Sequence, residues 1–229
     1  MIENPRFLTS ELLSRVPGVH HGFGTRLEPL PAIFEEHWES LRPRWKQVHG
    51  VQAAEVTQAA QECGGVDALY GSIPKIPITV MSGDCVPILM TRTDGKRVAA
   101  VHAGWRGTQA RILEVLGEKL LSEGENLRHW VAAIGPAIGP CCYEVSPELA
   151  ETFSDAFPRH VKGRLLDLPA MNAEQLTRIG LGEVEILRAC TRCSTLPPEN
   201  AVSGTPQPRF NSYRREGAGA RQYSVISLT

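Results

Sequence analysis

The chain has no long apolar run. No uninterrupted stretch among its 229 residues approaches the roughly 20 apolar residues of a membrane span. Its first residues, MIENPRFLTSELL, lack the basic and apolar regions of an export leader. Formal net charge is only -1, so no overall field attracts nucleic acid or an acidic membrane. There is no internal repeat and no low-complexity linker, and proline and glycine are spread throughout. These absences point to a soluble cytoplasmic protein whose residues 1–229 form a single domain. What is present, 42% hydrophobic and 21% charged residues, is ordinary for a globular chain.

Without a leader, the six cysteines are not expected to form a disulfide framework. Cys63 reads as a small packing residue. Cys190-Thr-Arg-Cys193 has the CxxC spacing, and vicinal Cys141-Cys142 could complete a four-cysteine zinc site. Ordinary buried thiols are the simpler reading. A thioredoxin-like role is disfavoured, because no helix signal follows the CxxC.

The stretch from Ile76 to Thr108 organises the chain: IPITVMSGDCVPILMTRTDGKRVAAVHAGWRGT. Asp94-Gly95 between two apolar runs signals a two-residue hairpin turn. Thr93 then pairs with Lys96, Pro87 lies opposite His102, and Cys85 lies opposite Gly104. Cys85 and His102 therefore share a face as diagonal neighbours, roughly 7–8 Å apart by backbone, close enough for their side chains to converge on one ion. The opposite face carries Val86, Ile88, Met90, Ala99, Val101 and Ala103. The Cys85 face adds Leu89, Val98 and Ala100. Two apolar faces predict a strand pair buried between layers.

Elsewhere the patterns predict a short helix over Ile33–Leu41 and strands over Trp45–Val48 and Val51–Val56, with His49-Gly50 at their join. A lone His at such a join is usually solvated. Gly22 to Arg26 reads as a loop able to line a site, and His20-His21, on opposite faces of a strand, as surface or packing residues. Thr108 is a plausible N-cap for a helix that Gly124 closes, and Ser146 precedes a helix from Pro147 to Phe157. Strands are expected over Trp130–Ile134, Val184–Cys190 and Gln222–Leu228. A helix is expected over Met171–Ile179, with Asn172 as a cap. Arg106 and the amides of Gly107 and Thr108 form a candidate phosphate site, the alternative being ordinary capping with Arg106 in solvent. Arg214, Arg215 and Arg221 cluster around glycines, either as a second phosphate contact or as a solvated basic turn.

The segments KQVHG, VDAL, GDCVPIL, VAAVHAGWRGT, AIGPAIGPCCYEV and SYRRE…GARQYSVI, in order from about His20 to the C-terminus, together resemble the YfiH-like family. It is also called the laccase-domain or polyphenol oxidase family, and includes peptidoglycan-editing factors and purine nucleoside phosphorylases. The resemblance implies an α/β (α+β) fold of layered mixed β-sheets flanked by helices, similar to the CNF-type toxin deamidases. It also implies a zinc site of His49, Cys85 and His102; the hairpin register reaches the last two by itself. The chain departs from the family pattern at Gly83, where Ala is usual, and at Asn211, where Phe is usual. Neither is a ligand.

Three N/S ligands leave an open fourth position, the pattern of a catalytic zinc. The family then implies a metal-dependent enzyme that phosphorolyses purine nucleosides (adenosine, inosine and methylthioadenosine) and also deaminates adenosine. Its partners would be small molecules, nucleoside and phosphate. Arg106, the amides after it, and Arg214 or Arg215 hold the phosphate in this reading. Cys85 and His102 are the catalytic centre, and Asp84 is a candidate proton carrier, although a regular strand turns it away from Cys85 unless Gly83 kinks the chain. A cysteine amidohydrolase editing peptidoglycan precursors is the first alternative, with Cys85 as nucleophile and His102 as base. Copper in place of zinc, with Met81 as a weak axial ligand, is the second. A full laccase also needs paired His-x-His motifs, and the seven histidines here form none. A non-enzymatic zinc domain is the remaining reading. Nothing in the sequence fixes an oligomeric state.

Overall fold

The computed structural model describes residues 6–196, 206–219 and 221–229. Pro5 and Ala220, which fall in segments read from the sequence, lie outside them. The central hairpin has the register that the Asp94-Gly95 turn dictates. Strand Val86–Arg92 pairs antiparallel with Val98–Ala103, and Pro87 stands opposite His102. The amide of Gly95 closes the turn on the carbonyl of Arg92 at 2.9 Å, with Gly95 at φ 66°.

This hairpin is the middle of a six-stranded mixed sheet. Its strand order is Glu183–Ile186, Trp130–Ile134, Val86–Arg92, Val98–Ala103, Ala68–Gly71 and Ala53–Val56. The two outer pairs are parallel and the inner ones antiparallel. A second, antiparallel sheet has the order Phe7–Leu8, Val19–Gly24, Gln222–Leu228 and Ile78–Ser82.

The two apolar faces serve two different cores. Val86, Ile88, Met90, Ala99, Val101 and Ala103 pack against helices, through Ile112, Leu116, Phe153, Met171 and Leu176. Leu89, Val98 and Ala100 pack with Phe23, Ile78, Val80 and Ile226 of the second sheet. Helices, six-stranded sheet and four-stranded sheet thus form three layers in a mixed α/β domain. Each fully buried Val, Leu or Ile contributes about 1.5–3 kcal/mol, so the hairpin is held from both sides without any ligand.

Several local readings hold. Ser146 caps a helix over Pro147–Ala156 by accepting from the Leu149 amide at 3.3 Å. Strands Trp130–Ile134 and Gln222–Leu228 have the expected bounds, and Gly124 (φ 86°) follows the helix Ile112–Ser122. His20 is exposed and His21 buried, as adjacent strand residues should be.

Others are corrected. Residues Ile33–Leu41 form a 3-10 turn, Ala32–Phe34, and a separate helix, Trp38–Leu41, because His37 turns left-handed at φ 61°. Gly22 to Gly24 are strand and are not in the wall of the cavity described below. The strands around His49 shrink to Arg44–Lys46 and Ala53–Val56, and Val184–Cys190 to Glu183–Ile186. Thr108 is not a cap: helix Trp105–Gln109 starts from Gly104, and Arg111 (φ 61°) separates it from Ile112–Ser122. Asn172 is not a cap either. Asp167 caps Leu168–Arg178, while buried Asn172 donates to Thr108 Oγ1 at 2.9 Å. In both cases a buried polar side chain met a distant partner that its local pattern does not contain.

Candidate metal centre and cavity

Cys85 sits where the chain passes from one sheet to the other, between Ile78–Ser82 and Val86–Arg92. The turn that makes this passage falls on Asp84, at φ 94°. Such a conformation is costly for a residue with a Cβ, and three contacts hold it. The Asp84 carbonyl accepts from Ile138 N at 2.9 Å. Its carboxylate accepts from Thr191 Oγ1 at 2.5 Å and from Arg214 N at 2.6 Å. The break in alternation brings Asp84 and Cys85 into the same cavity wall.

His102 enters from the end of its strand, buried. Its Nδ1 lies 2.9 Å from Asp67 Oδ1, which leaves Nε2 as its free ring nitrogen. Asp67 also accepts from the amides of Val48 (3.1 Å), His49 (3.0 Å) and Gly50 (2.7 Å). One carboxylate thus orients the His102 ring and folds the His49 loop, where His49 itself is left-handed at φ 60°. Gln47 anchors the start of this loop. Its side-chain amide bonds both backbone groups of Met81, each at 2.7 Å, as a strand would. Asp67 and Gln47 were not singled out from the sequence, although both stand inside motif segments, VDAL and KQVHG. Gln47 stands two residues before the candidate ligand His49, whereas Asp67 is 18 or more residues from every candidate ligand and gave no such signal.

These supports bring His49, Cys85 and His102 together, each offering one ligand atom within 4.8 Å of the others. Tetrahedral zinc, with bonds of about 2.0–2.3 Å, spaces its ligand atoms roughly 3.3–3.8 Å apart, so a small contraction closes the set. Gly104 keeps the space free: a Cβ there would lie 2.9 Å from Cys85 Sγ and 3.1 Å from His49 Cδ2. A carboxylate behind one ligating His is the usual way of fixing its tautomer. The residues present therefore fit a soft or borderline divalent ion.

The electrostatics agree. Burial opposes ionisation of Cys85, but His102 and His49 beside it outweigh burial and lower its thiol pKa to about 6. Burial likewise opposes charge on His102, but Asp67 and Cys85 raise its pKa to about 9. Asp67 is pushed up by burial and, more strongly, down by His102 and the Gly50 and Val48 amides, for a net lowering.

The three residues form one wall of a cavity of about 450 Å³. Met81, Ile138 and Leu168 supply apolar surface, and Trp105, Tyr143 and Tyr213 supply aromatic rings. Arg106, Arg214 and Arg221 supply positive charge. The Arg106 guanidinium stacks 4.4 Å from the Trp105 ring centre, and that of Arg214 lies 5.3 Å from Tyr143. Three expected phosphate contacts are not in the wall. Gly107 is packed inward near the Gly50 carbonyl, and Thr108 is bonded to Asn172. The Arg215 guanidinium bonds the carbonyls of Thr191 (3.1 Å), Arg192 (2.8 Å) and Phe210 (2.5 Å), and so braces the loop from behind.

A profile of the multi-copper polyphenol oxidoreductase laccase family matches residues 35–229. The chain belongs to this family. A purine nucleoside phosphorylase of Pseudomonas aeruginosa is 32% identical, over 94% of this chain and 89% of its own length. An adenosine deaminase, RL5, from an unknown prokaryotic organism is 33% identical, over 62% of this chain and 58% of its own. The crystal structure of the YfiH protein of Bacillus licheniformis has the same fold, with a TM-score of 0.80, 22% identity, and coverage of 100% of this chain and 98% of that one. Family membership thus agrees with the resemblance carried by the motifs. No helix among the described residues is long and apolar enough to cross a membrane.

Proposed function

We propose that this cavity phosphorolyses purine nucleosides such as adenosine, inosine and methylthioadenosine in a metal-dependent reaction, and also deaminates adenosine. One observation carries the reading: a convergent His49, Cys85 and His102 set opens onto a cavity that pairs aromatic walls with arginine charge. A volume of about 450 Å³ is within the range of small-molecule sites. The names of the relatives, phosphorylase and deaminase, support the same substrate class.

His49, Cys85 and His102 would hold the ion, which when bound supplies Lewis acidity and a more acidic water. The other steps belong to the chain. Arg106 and Arg214 bind phosphate by charge-assisted hydrogen bonds and orient one oxygen toward the ribose. That oxygen bonds to the anomeric carbon while the carbon–nitrogen bond breaks, and the purine leaves with the electron pair and gains a proton. Trp105, Tyr143 and Tyr213 offer flat surfaces to base and sugar. Asp84, the carboxyl in the wall, is assigned as the carrier that takes a proton from solvent and passes it to the leaving purine. Its contacts with Thr191 and Arg214 make it a positioning residue as well, and it must release the Thr191 hydroxyl to take part.

The test is adenine release from adenosine by zinc-loaded protein at graded phosphate. Adenine that appears only with phosphate supports the reading, and cleavage indifferent to phosphate removes it.

A second reading rests on a specific geometry. Asp67 holds His102 at 2.9 Å, and Cys85 Sγ lies within 4.8 Å of a His102 ring nitrogen, an order that fits orienter, base and nucleophile. Such a triad suits a cysteine amidohydrolase acting on a peptidoglycan precursor. A firmly bound stoichiometric zinc on Cys85 removes it, because the same sulfur cannot be both ligand and free nucleophile. For copper, Met81 is in the wall as a possible axial ligand, so a blue absorption band on copper loading is the discriminating signal.

A further inference from the structure

The chain brings together a second set of soft donors that the reaction does not use. Cys141, Cys142, Cys190 and Cys193 each place a sulfur within 4.8 Å of the other three. Among the described residues this and the His49 set are the two groups of three or more His, Cys or carboxylate ligands that could hold an ion. The sulfurs of Cys141 and Cys193 are 3.6 Å apart, close to the roughly 3.8 Å between thiolates on one tetrahedral zinc.

The two contributing segments are about 50 residues apart and are joined by backbone, not by sulfur alone. Ala137 bridges Cys190 in parallel, with Ala137 N to Ala189 O at 3.2 Å and Thr191 N to Ala137 O at 3.0 Å. The turn after Gly139 carries Cys141 and Cys142, and the turn after Cys190 carries Cys193. Buried Cys190 receives the Gly139 amide at 3.3 Å. That amide fixes the sulfur of Cys190 toward the other three.

We propose that these four cysteines form a structural zinc site. Four thiols give up four protons and bind one Zn²⁺ as a tetrathiolate, with no open position and no role as nucleophile. Sulfur-only donors select zinc over the harder divalent ions. The site is well placed to matter. Ile138, beside one segment, holds the Asp84 carbonyl, and Thr191, beside the other, holds the Asp84 carboxylate. Arg215 grips the carbonyls of Thr191 and Arg192. An ion there ties together the two turns that support the Asp84 and Arg214 wall of the cavity.

The test is metal content after gel filtration of wild-type, Cys85→Ala and Cys193→Ser proteins purified with added zinc. The expectation is two zinc per chain in the wild type and one in each variant. The zinc retained by Cys85→Ala is the decisive reading. Cobalt exchanged into Cys85→Ala should give an intense thiolate-to-cobalt charge-transfer band, absent from the Cys85→Ala/Cys193→Ser double variant. Circular dichroism shows that each variant is folded. A single zinc that disappears with Cys85→Ala overturns the proposal. So does a mass two hydrogens low, which reports a Cys141–Cys193 or Cys190–Cys193 disulfide. A single zinc that survives Cys85→Ala but not Cys193→Ser upholds this site while removing the metal from the cavity reading, so the two stand or fall separately.

Discussion

The protein carries two sulfur-containing clusters, and they are built in opposite ways. His49, Cys85 and His102 come from a loop, the turn between the two sheets and a strand of the six-stranded sheet, mix nitrogen with sulfur, and face a cavity of about 450 Å³. A buried carboxylate, Asp67, stands behind them. Cys141, Cys142, Cys190 and Cys193 come from two turns, offer only sulfur, and have a backbone amide, that of Gly139, behind Cys190. The first leaves a place for a reactant and tunes its ligands; the second surrounds whatever it binds. On the readings proposed above, donor number and backing, not the presence of cysteine, separate a site that does chemistry from one that holds structure.

The largest expected effect is at the first cluster. Cys85→Ala should lower nucleoside turnover by at least about a thousandfold, while far-UV circular dichroism and melting stay near wild type, because the hairpin is packed on both faces. Comparable loss in Cys193→Ser protein that keeps its first ion would erase the contrast between the clusters.

Acid treatment provides a control that belongs to neither. Buried His21 accepts the Ser10 amide at 2.8 Å, and burial, the leading cause, lowers its pKa to about 4. In the unfolded chain a histidine protonates near pH 6.5. Between these values the unfolded state holds more protons, so His21 favours folding fully above pH 6.5 and progressively less toward pH 4. The loss is roughly 3 kcal/mol by linkage. Urea unfolding of metal-free protein at pH 7 and pH 4.5 should show this fall, and His21→Gln should flatten it. An unchanged pH dependence in that variant would return the acid sensitivity to the clusters.

Asp67→Asn sharpens the comparison from behind the ligands. It should weaken metal retention at the first cluster by about 10–100-fold in chelator competition and leave the second unchanged. Equal weakening of both would mean that Asp67 supports the fold in general. The smallest effect is expected for Arg106→Ala. The Michaelis constant for phosphate should rise about tenfold, the worth of one charge-assisted hydrogen bond, with deamination little changed. Equal loss of both activities would reduce Arg106 to its stack on Trp105.

What was legible in the sequence follows the range of the contacts involved. The Asp94-Gly95 turn fixes every pair up to Pro87 and His102, because antiparallel register propagates from a two-residue loop. Ser146 and Pro147 announce their helix locally. Arg215 looked like Arg214, yet Arg214 lies in the cavity wall, with one bond to the Glu144 carbonyl, while the Arg215 guanidinium bonds three carbonyls. Thr108 and Asn172 looked like caps and instead bond each other across 64 residues. Asp67 is the clearest case. No spacing rule joins it to His102, since the contact depends on Ala68–Gly71 lying beside Val98–Ala103. The His49 ligand came from family resemblance, and only the Asp67 amide contacts explain why that loop delivers it.

The most direct test of the central claim follows ¹⁸O-labelled phosphate by mass spectrometry, with adenosine and zinc-loaded protein, beside Cys85→Ala. The account predicts adenine and ribose 1-phosphate that keeps all the phosphate label, and neither product from the variant. Free ribose without label, or unchanged adenosine from folded protein with its first site full of zinc, would contradict it.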